Sequence, residues 1–125
     1  MRGVVAAAVL ALTFSSLPAG AESNEAVAAL RTSLEARAPA KWDIHVRWRD
    51  GQLLASLILP FKEGFDLLYD PDRFLTAVLD LCPQKDAAVW GFLSPDQDVQ
   101  IEPTVGGKTT EGMRVSCRAH KPVGT

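Results

Sequence analysis

Few side chains in this sequence can do chemistry, and their spacing limits what that chemistry could be. The only histidines are His45 and His120, and the only cysteines are Cys82 and Cys117. Asp43 and His45 lie two residues apart. On a strand both would project from one face, where a carboxylate can orient an imidazole or share a metal ion with it. A metal site normally needs three or four ligands at recognisable spacing. No further cluster accompanies this pair, so neither a metal nor a cofactor is expected. Asp96-x-Asp98 lacks the glycine and the distal bidentate glutamate of a calcium loop. Gly106-Gly107-Lys108-Thr109 lacks the leading spacing of a phosphate loop, and no serine sits in a nucleophile elbow. A dispersed catalytic site around Asp43 and His45 stays open, because triads need not be local in sequence.

The cysteines are read with the start of the chain. Arg2, the apolar run Val4 to Phe14 and the small residues Ala19-Gly20-Ala21 have the layout of a secretory signal peptide, cleaved after residue 21. The run falls short of the roughly 20 apolar residues that a spanning helix needs, so no stable membrane insertion is expected after cleavage. In an exported chain an even pair of cysteines reads as one disulfide, Cys82–Cys117. It would close a loop of about 36 residues and stabilise the fold by roughly 3–4 kcal/mol. The sharper alternative is a reactive thiol at Cys117, helped by Arg118 and His120 beside it.

Charge excludes one class of partner. The chain has 13 basic and 15 acidic residues, a formal net charge of −2, and loss of the leader removes only Arg2 from that set. No basic run marks a nucleic-acid footprint. Nor is there the Lys/Arg-rich amphipathic helix of a membrane-surface protein.

The elements that must position these residues are well written. Around Asp50-Gly51, Trp42, Ile44, Val46 and Trp48 alternate with Asp43, His45, Arg47 and Arg49. Asp-Gly suits a two-residue turn with positive φ at both centres. The register then sets Trp48 opposite Leu53, Val46 opposite Ala55 and Ile44 opposite Leu57. The tryptophan face is apolar throughout and should be the core. The other face pairs Arg47 with Leu54, His45 with Ser56 and Asp43 with Ile58, as a solvated sheet surface does.

A helix is expected from Asn24 to about Arg37, capped by Ser23 or Asn24 and stopped by Pro39. A second opens on Asp70-Pro71-Asp72 and ends before Pro83. Asp70 caps it, Pro71 suits the first position and Asp72 complements the helix dipole, which accounts for both carboxylates. Between hairpin and second helix, Pro60 to Tyr69 reads as a packed connection whose Phe65 and Tyr69 could flank a groove together with Trp90. Ala87 to Leu93 reads as a strand, Val99 to Val105 as an edge or bulged strand because of Pro103, and Met113 to Arg118 as a last strand. From Ala119 the tail is expected to fray.

The fold class that follows is α+β: an antiparallel sheet of about five strands, order α-β-β-α-β-β-β, with two helices on one face and one disulfide. Residues 22–125 form a single small domain in this reading. The order of opening helix, Asp50-Gly51 hairpin and Pro71 helix resembles the small envelope-associated BON domains over about half of the mature chain. The resemblance rests on element order. The tryptophans, the cysteine pair and the further C-terminal strands depart from it, and no site residue is carried over.

Function is then expected to be binding rather than catalysis. The leading expectation is an exported, periplasmic or secreted accessory module for another envelope or secreted protein, using His45, Arg47, Leu54 and Ile58 or the Phe61–Tyr69 connection. The alternative is a small-molecule or lipid-binding domain with a groove at Phe65 and Tyr69.

Overall fold

A computed structural model describes residues 21–62, 69–105, 108–109 and 113–123. The expected leader lies outside these apart from Ala21, as does Phe65. Helix α1 spans Asn24–Arg37, and the Ser23 side chain accepts from the Ala26 N–H at its start. Its Ala26, Leu30 and Leu34 recur at the i, i+4 spacing of one helical face, and all three are fully buried. That face packs on the hairpin β1 (Asp43–Arg49) and β2 (Gln52–Leu59).

The hairpin register is the one read from sequence, from Arg49 opposite Gln52 to Asp43 opposite Ile58. Its turn has the expected left-handed residues, with φ of 51° at Asp50 and 79° at Gly51. Val46, Leu53, Ala55 and Leu57 lie in one buried cluster with Trp42, Leu30 and Leu34.

Helix α2 spans Pro71–Leu79, and the Asp70 carboxylate accepts from the Arg73 N–H at 3.2 Å. Phe74 and Val78, again four apart, are fully buried in that same core. The α+β class therefore holds, with the Cys82–Cys117 disulfide at a Cα–Cα distance of 5.3 Å.

Four features differ from the sequence reading. Ala88–Phe92 is a short 3-10 helix rather than a strand. A short apolar run cannot be assigned by period alone, and here the turn bonds Trp90 N–H to Ala87 O and Leu93 N–H to Trp90 O take the place of a sheet partner. Strand β3 (Val99–Val105) pairs parallel with β2, Ala55 opposite Ile101, so the sheet is mixed rather than wholly antiparallel. The connection through α2 and the 3-10 helix supplies the long crossover that parallel pairing requires.

β3 is also central rather than an edge. On its far side it pairs with β4 (Lys108–Thr109) and with β5 (Val115–Ser116), giving the order β1-β2-β3-β5, with β4 also on β3. Pro103 is tolerated because Val99 and Ile101 pair with β5 side residues and Val105 with Lys108, leaving the Pro103 position between the two short partners.

Nor does the chain fray after Ala119. Lys121–Pro122 forms β6 against β5, and the Val123 N–H donates to Arg114 O at 2.8 Å. Arg118 and His120 are thereby held in a tight turn.

Candidate functional site

The turn Cys117–His120 and the end of α2 are held together by the disulfide, and a surface cavity opens beside it. Its volume is about 660 Å³, and its lining includes Arg37, Leu79, Asp80, Cys82, Pro83, Lys85, Trp90, Cys117, Arg118 and His120. Each wall has a local cause. Arg37 ends α1, where a cation also complements the helix dipole. Leu79 and Asp80 close α2. Lys85 follows Pro83 in an exposed turn, and Trp90 comes from the 3-10 helix.

The walls are fixed by specific bonds. Arg37 Nη1 donates to Cys82 O at 2.8 Å. Trp90 Nε1 donates to Pro83 O at 3.4 Å, and the Arg118 guanidinium carbon lies 4.8 Å from the centre of the Trp90 ring. At that distance the cation is attracted to the ring face. Arg118 Nε and Nη2 also donate to Gln97 O at 2.9 and 2.7 Å, and Nη2 to Ser94 O at 3.2 Å. Asp98 completes the clamp: its carboxylate accepts from the Ser116 hydroxyl and from the Arg118 N–H. These contacts join the 94–98 turn to the residues that carry Cys117 and Arg118.

Electrostatically the cavity is lopsided. The lining has three cations, Arg37, Lys85 and Arg118, and one carboxylate, Asp80, with His120 beside them, in a chain whose overall charge is slightly negative. Lys85 and His120 are both exposed. His120 has φ of 56°, a left-handed conformation found more often for histidine than for most residues. Nearby, the hydrogen bond from the Ser94 hydroxyl, then a backbone N–H and the Arg118 charge, hold the Asp96 carboxyl below its ordinary range.

The residues expected from sequence to form a binding surface are divided. His45, Arg47 and Ile58 do come together, with Arg31, Val46, Ser56 and Thr104, around a shallower depression of about 450 Å³. Arg47 Nη1 reaches Ser56 Oγ at 3.5 Å. Leu54 does not join them: it is 1% exposed and cannot be a contact residue on that surface. The face expected to be solvated also buries Ser56, and beside it on β3 Glu102 and Thr104 are buried too. Phe61 and Tyr69 are exposed, at 69% and 78%. Trp90 lines the disulfide cavity instead, and neither Phe61 nor Tyr69 is among the residues of that cavity.

Arg37 and Lys85 did not stand out in the sequence. The signal that could have found the site is the disulfide itself. Joining Cys82 to Cys117 necessarily brings Lys85, three residues past one cysteine, near Arg118 and His120, just past the other. Beside Cys117 in the sequence, Arg118 and His120 suggest activation of a thiol, but among the described residues no cysteine is free.

Among the described residues no group of three or more His, Cys, Asp or Glu is placed to hold a metal ion, and no helix is long and apolar enough to cross a membrane. Comparison with known proteins returns no matching family model, no similar curated protein and no similar solved structure.

Proposed function

We propose that this chain is an exported, non-catalytic accessory domain that binds another protein of the cell envelope or the secreted fraction. The observation that carries this reading is the cavity at the disulfide. It is concave, its walls are fixed by hydrogen bonds to backbone carbonyls, and its charged groups are mainly cations. Guanidinium groups bind and orient but do not exchange protons in a protein, so Arg37 and Arg118 suit recognition better than acid–base work. Export to the periplasm or beyond is supported by the leader-like pattern of residues 1–21 and by a disulfide, which persists in oxidising compartments.

A second reading, a periplasmic domain for a small molecule or lipid, is favoured by the cavity volume of about 660 Å³, which lies within the usual range for small-ligand sites.

The two readings separate in an affinity capture. The oxidised, exported protein is the bait, envelope extract the source and mass spectrometry the readout. A protein recovered in stoichiometric amount by the native chain, and lost with Lys85→Glu, supports the accessory-domain reading. Capture of no protein, together with thermal stabilisation by an extracted small molecule, replaces it with the second.

A further inference from the structure

The proposal above leaves the chemistry of the partner's docking segment open, and the cavity restricts it. Three cationic side chains, Arg37, Lys85 and Arg118, and the imidazole of His120 line one cavity with Leu79, Pro83, the Trp90 ring and the Cys82–Cys117 bridge. The side chains of Lys85 and His120 make no hydrogen bond or ion pair with another described residue. Arg37 spends one donor on Cys82 O and keeps the rest of its fork. Arg118 is held edge-on by carbonyls and face-on by Trp90, so its charge is fixed in place, with the Asp96 carboxylate close enough to feel it.

A site of this kind has an excess of positive charge beside apolar surface. We infer that it takes an acidic, partly apolar peptide segment of the partner protein, with a carboxylate set among Arg37, Lys85 and His120 and an apolar side chain against Leu79, Pro83 and Trp90. Complementary charge at such a surface steers association and fixes register, and arginine forks match planar carboxylates. Asp80 in the lining works more strongly against a doubly charged phosphate group than against a single carboxylate, because like-charge repulsion grows with charge. This inference rests on the accessory-domain reading and specifies its ligand.

The test uses the oxidised, exported protein, labelled with ¹⁵N, and two eight-residue peptides. One alternates leucine with glutamate; in the other every glutamate is replaced by glutamine. The acidic peptide is expected to move the resonances of Lys85, the Trp90 indole, Arg118 and His120, and to bind at least about tenfold more tightly than its glutamine counterpart. Lys85→Glu should weaken it by about tenfold or more. His120→Asn, which keeps a residue tolerant of the left-handed turn, should weaken it by a smaller factor.

Several results would overturn the inference: equal affinity for the two peptides, no binding of either, shifts confined to Arg31, His45 and Arg47 at the other depression, or displacement of the acidic peptide by equimolar inorganic phosphate. Failure here is distinct from failure of the proposed function. A partner captured by native protein but retained by Lys85→Glu, with no acidic-peptide binding, removes the inference and relocates the interface. An empty capture removes the protein-partner reading whatever the peptides do.

Discussion

Arg37, in the last turn of α1, donates a 2.8 Å hydrogen bond to the carbonyl of Cys82, 45 residues further along the chain. The bond ties the C-terminal end of one helix to the residue that anchors the disulfide just beyond the other. It does the work of a capping contact between elements distant in sequence, and it sets one wall of the cavity. Its donor is charged and its surroundings partly exposed, so its loss is expected to cost about 1 kcal/mol. Arg37→Ala should therefore lower the urea midpoint without changing the slope, and should also weaken acidic-peptide binding. Unchanged stability would show that the contact is not maintained in solution.

The disulfide closes a sequence separation of 35 between the end of α2 and the β5–β6 turn. By chain entropy it is worth about 4 kcal/mol. The double variant Cys82→Ala, Cys117→Ala should lose roughly that much in denaturant unfolding. It should also loosen the cavity, leaving the Trp90 contacts with Pro83 and Arg118 to hold its walls without a cross-link. A cysteine-free variant that keeps both native stability and ligand binding would contradict this.

The tryptophans make a contrast. Trp48 Nε1 donates to Ser23 O at 3.1 Å, whereas Trp42, 7% exposed, buries an indole N–H that has no partner among the described residues. Replacing Trp42 by Phe removes an unsatisfied donor along with some packing, and these effects oppose each other. We expect Trp42→Phe to lie within about 1 kcal/mol of the native protein, against roughly 3–5 kcal/mol for Trp42→Ala. Trp48→Phe should cost about 1 kcal/mol through the lost bond. Thermal unfolding of the three variants decides the matter, and Trp42→Phe as damaging as Trp42→Ala would show that the indole N–H is paired in solution.

Asp96 gives a pH signature. Its carboxyl is held below the ordinary aspartate range, first by the Ser94 hydroxyl, then by a backbone N–H and the Arg118 charge. A depressed folded pKa means stabilisation that is present above the unfolded value and lost as pH falls through the folded one. The window is therefore acidic, and it is small in stability terms because the group is fully exposed. Ser94→Ala should raise the Asp96 midpoint in a carboxyl NMR titration. A midpoint that does not move would assign the shift to the other two causes.

Much of the architecture was legible because local signals agreed. Asp50-Gly51 sets the hairpin register, Ser23 and Asp70 start the helices, and the buried set at Leu30, Leu34, Phe74 and Val78 follows helical spacing. What escaped depends on partners distant in sequence. The strand pairing of β2 with β3 buries Leu54 and Ser56 on the face that looked solvated, a consequence that the hairpin alone does not contain. Likewise Ala88–Phe92, a run whose composition leaves strand and helix open, is held as a 3-10 helix by its own turn bonds. The cavity was the hardest to see, since Arg37, Lys85 and Trp90 meet only after α1, α2 and the 3-10 helix are placed. Asp98 shows the same limit: its hold on Ser116 and Arg118 spans 18 and 20 residues and leaves no local pattern.

The most direct test is the affinity of the captured envelope partner for three forms of the oxidised protein: native, Lys85→Glu and Arg47→Glu. Binding through the disulfide cavity predicts that Lys85→Glu weakens the complex by about tenfold or more, while Arg47→Glu, at the hairpin depression, leaves it near native. The reverse order would contradict the placement and move the interface to the hairpin. Indifference to both substitutions would contradict a charge-read interface at either surface.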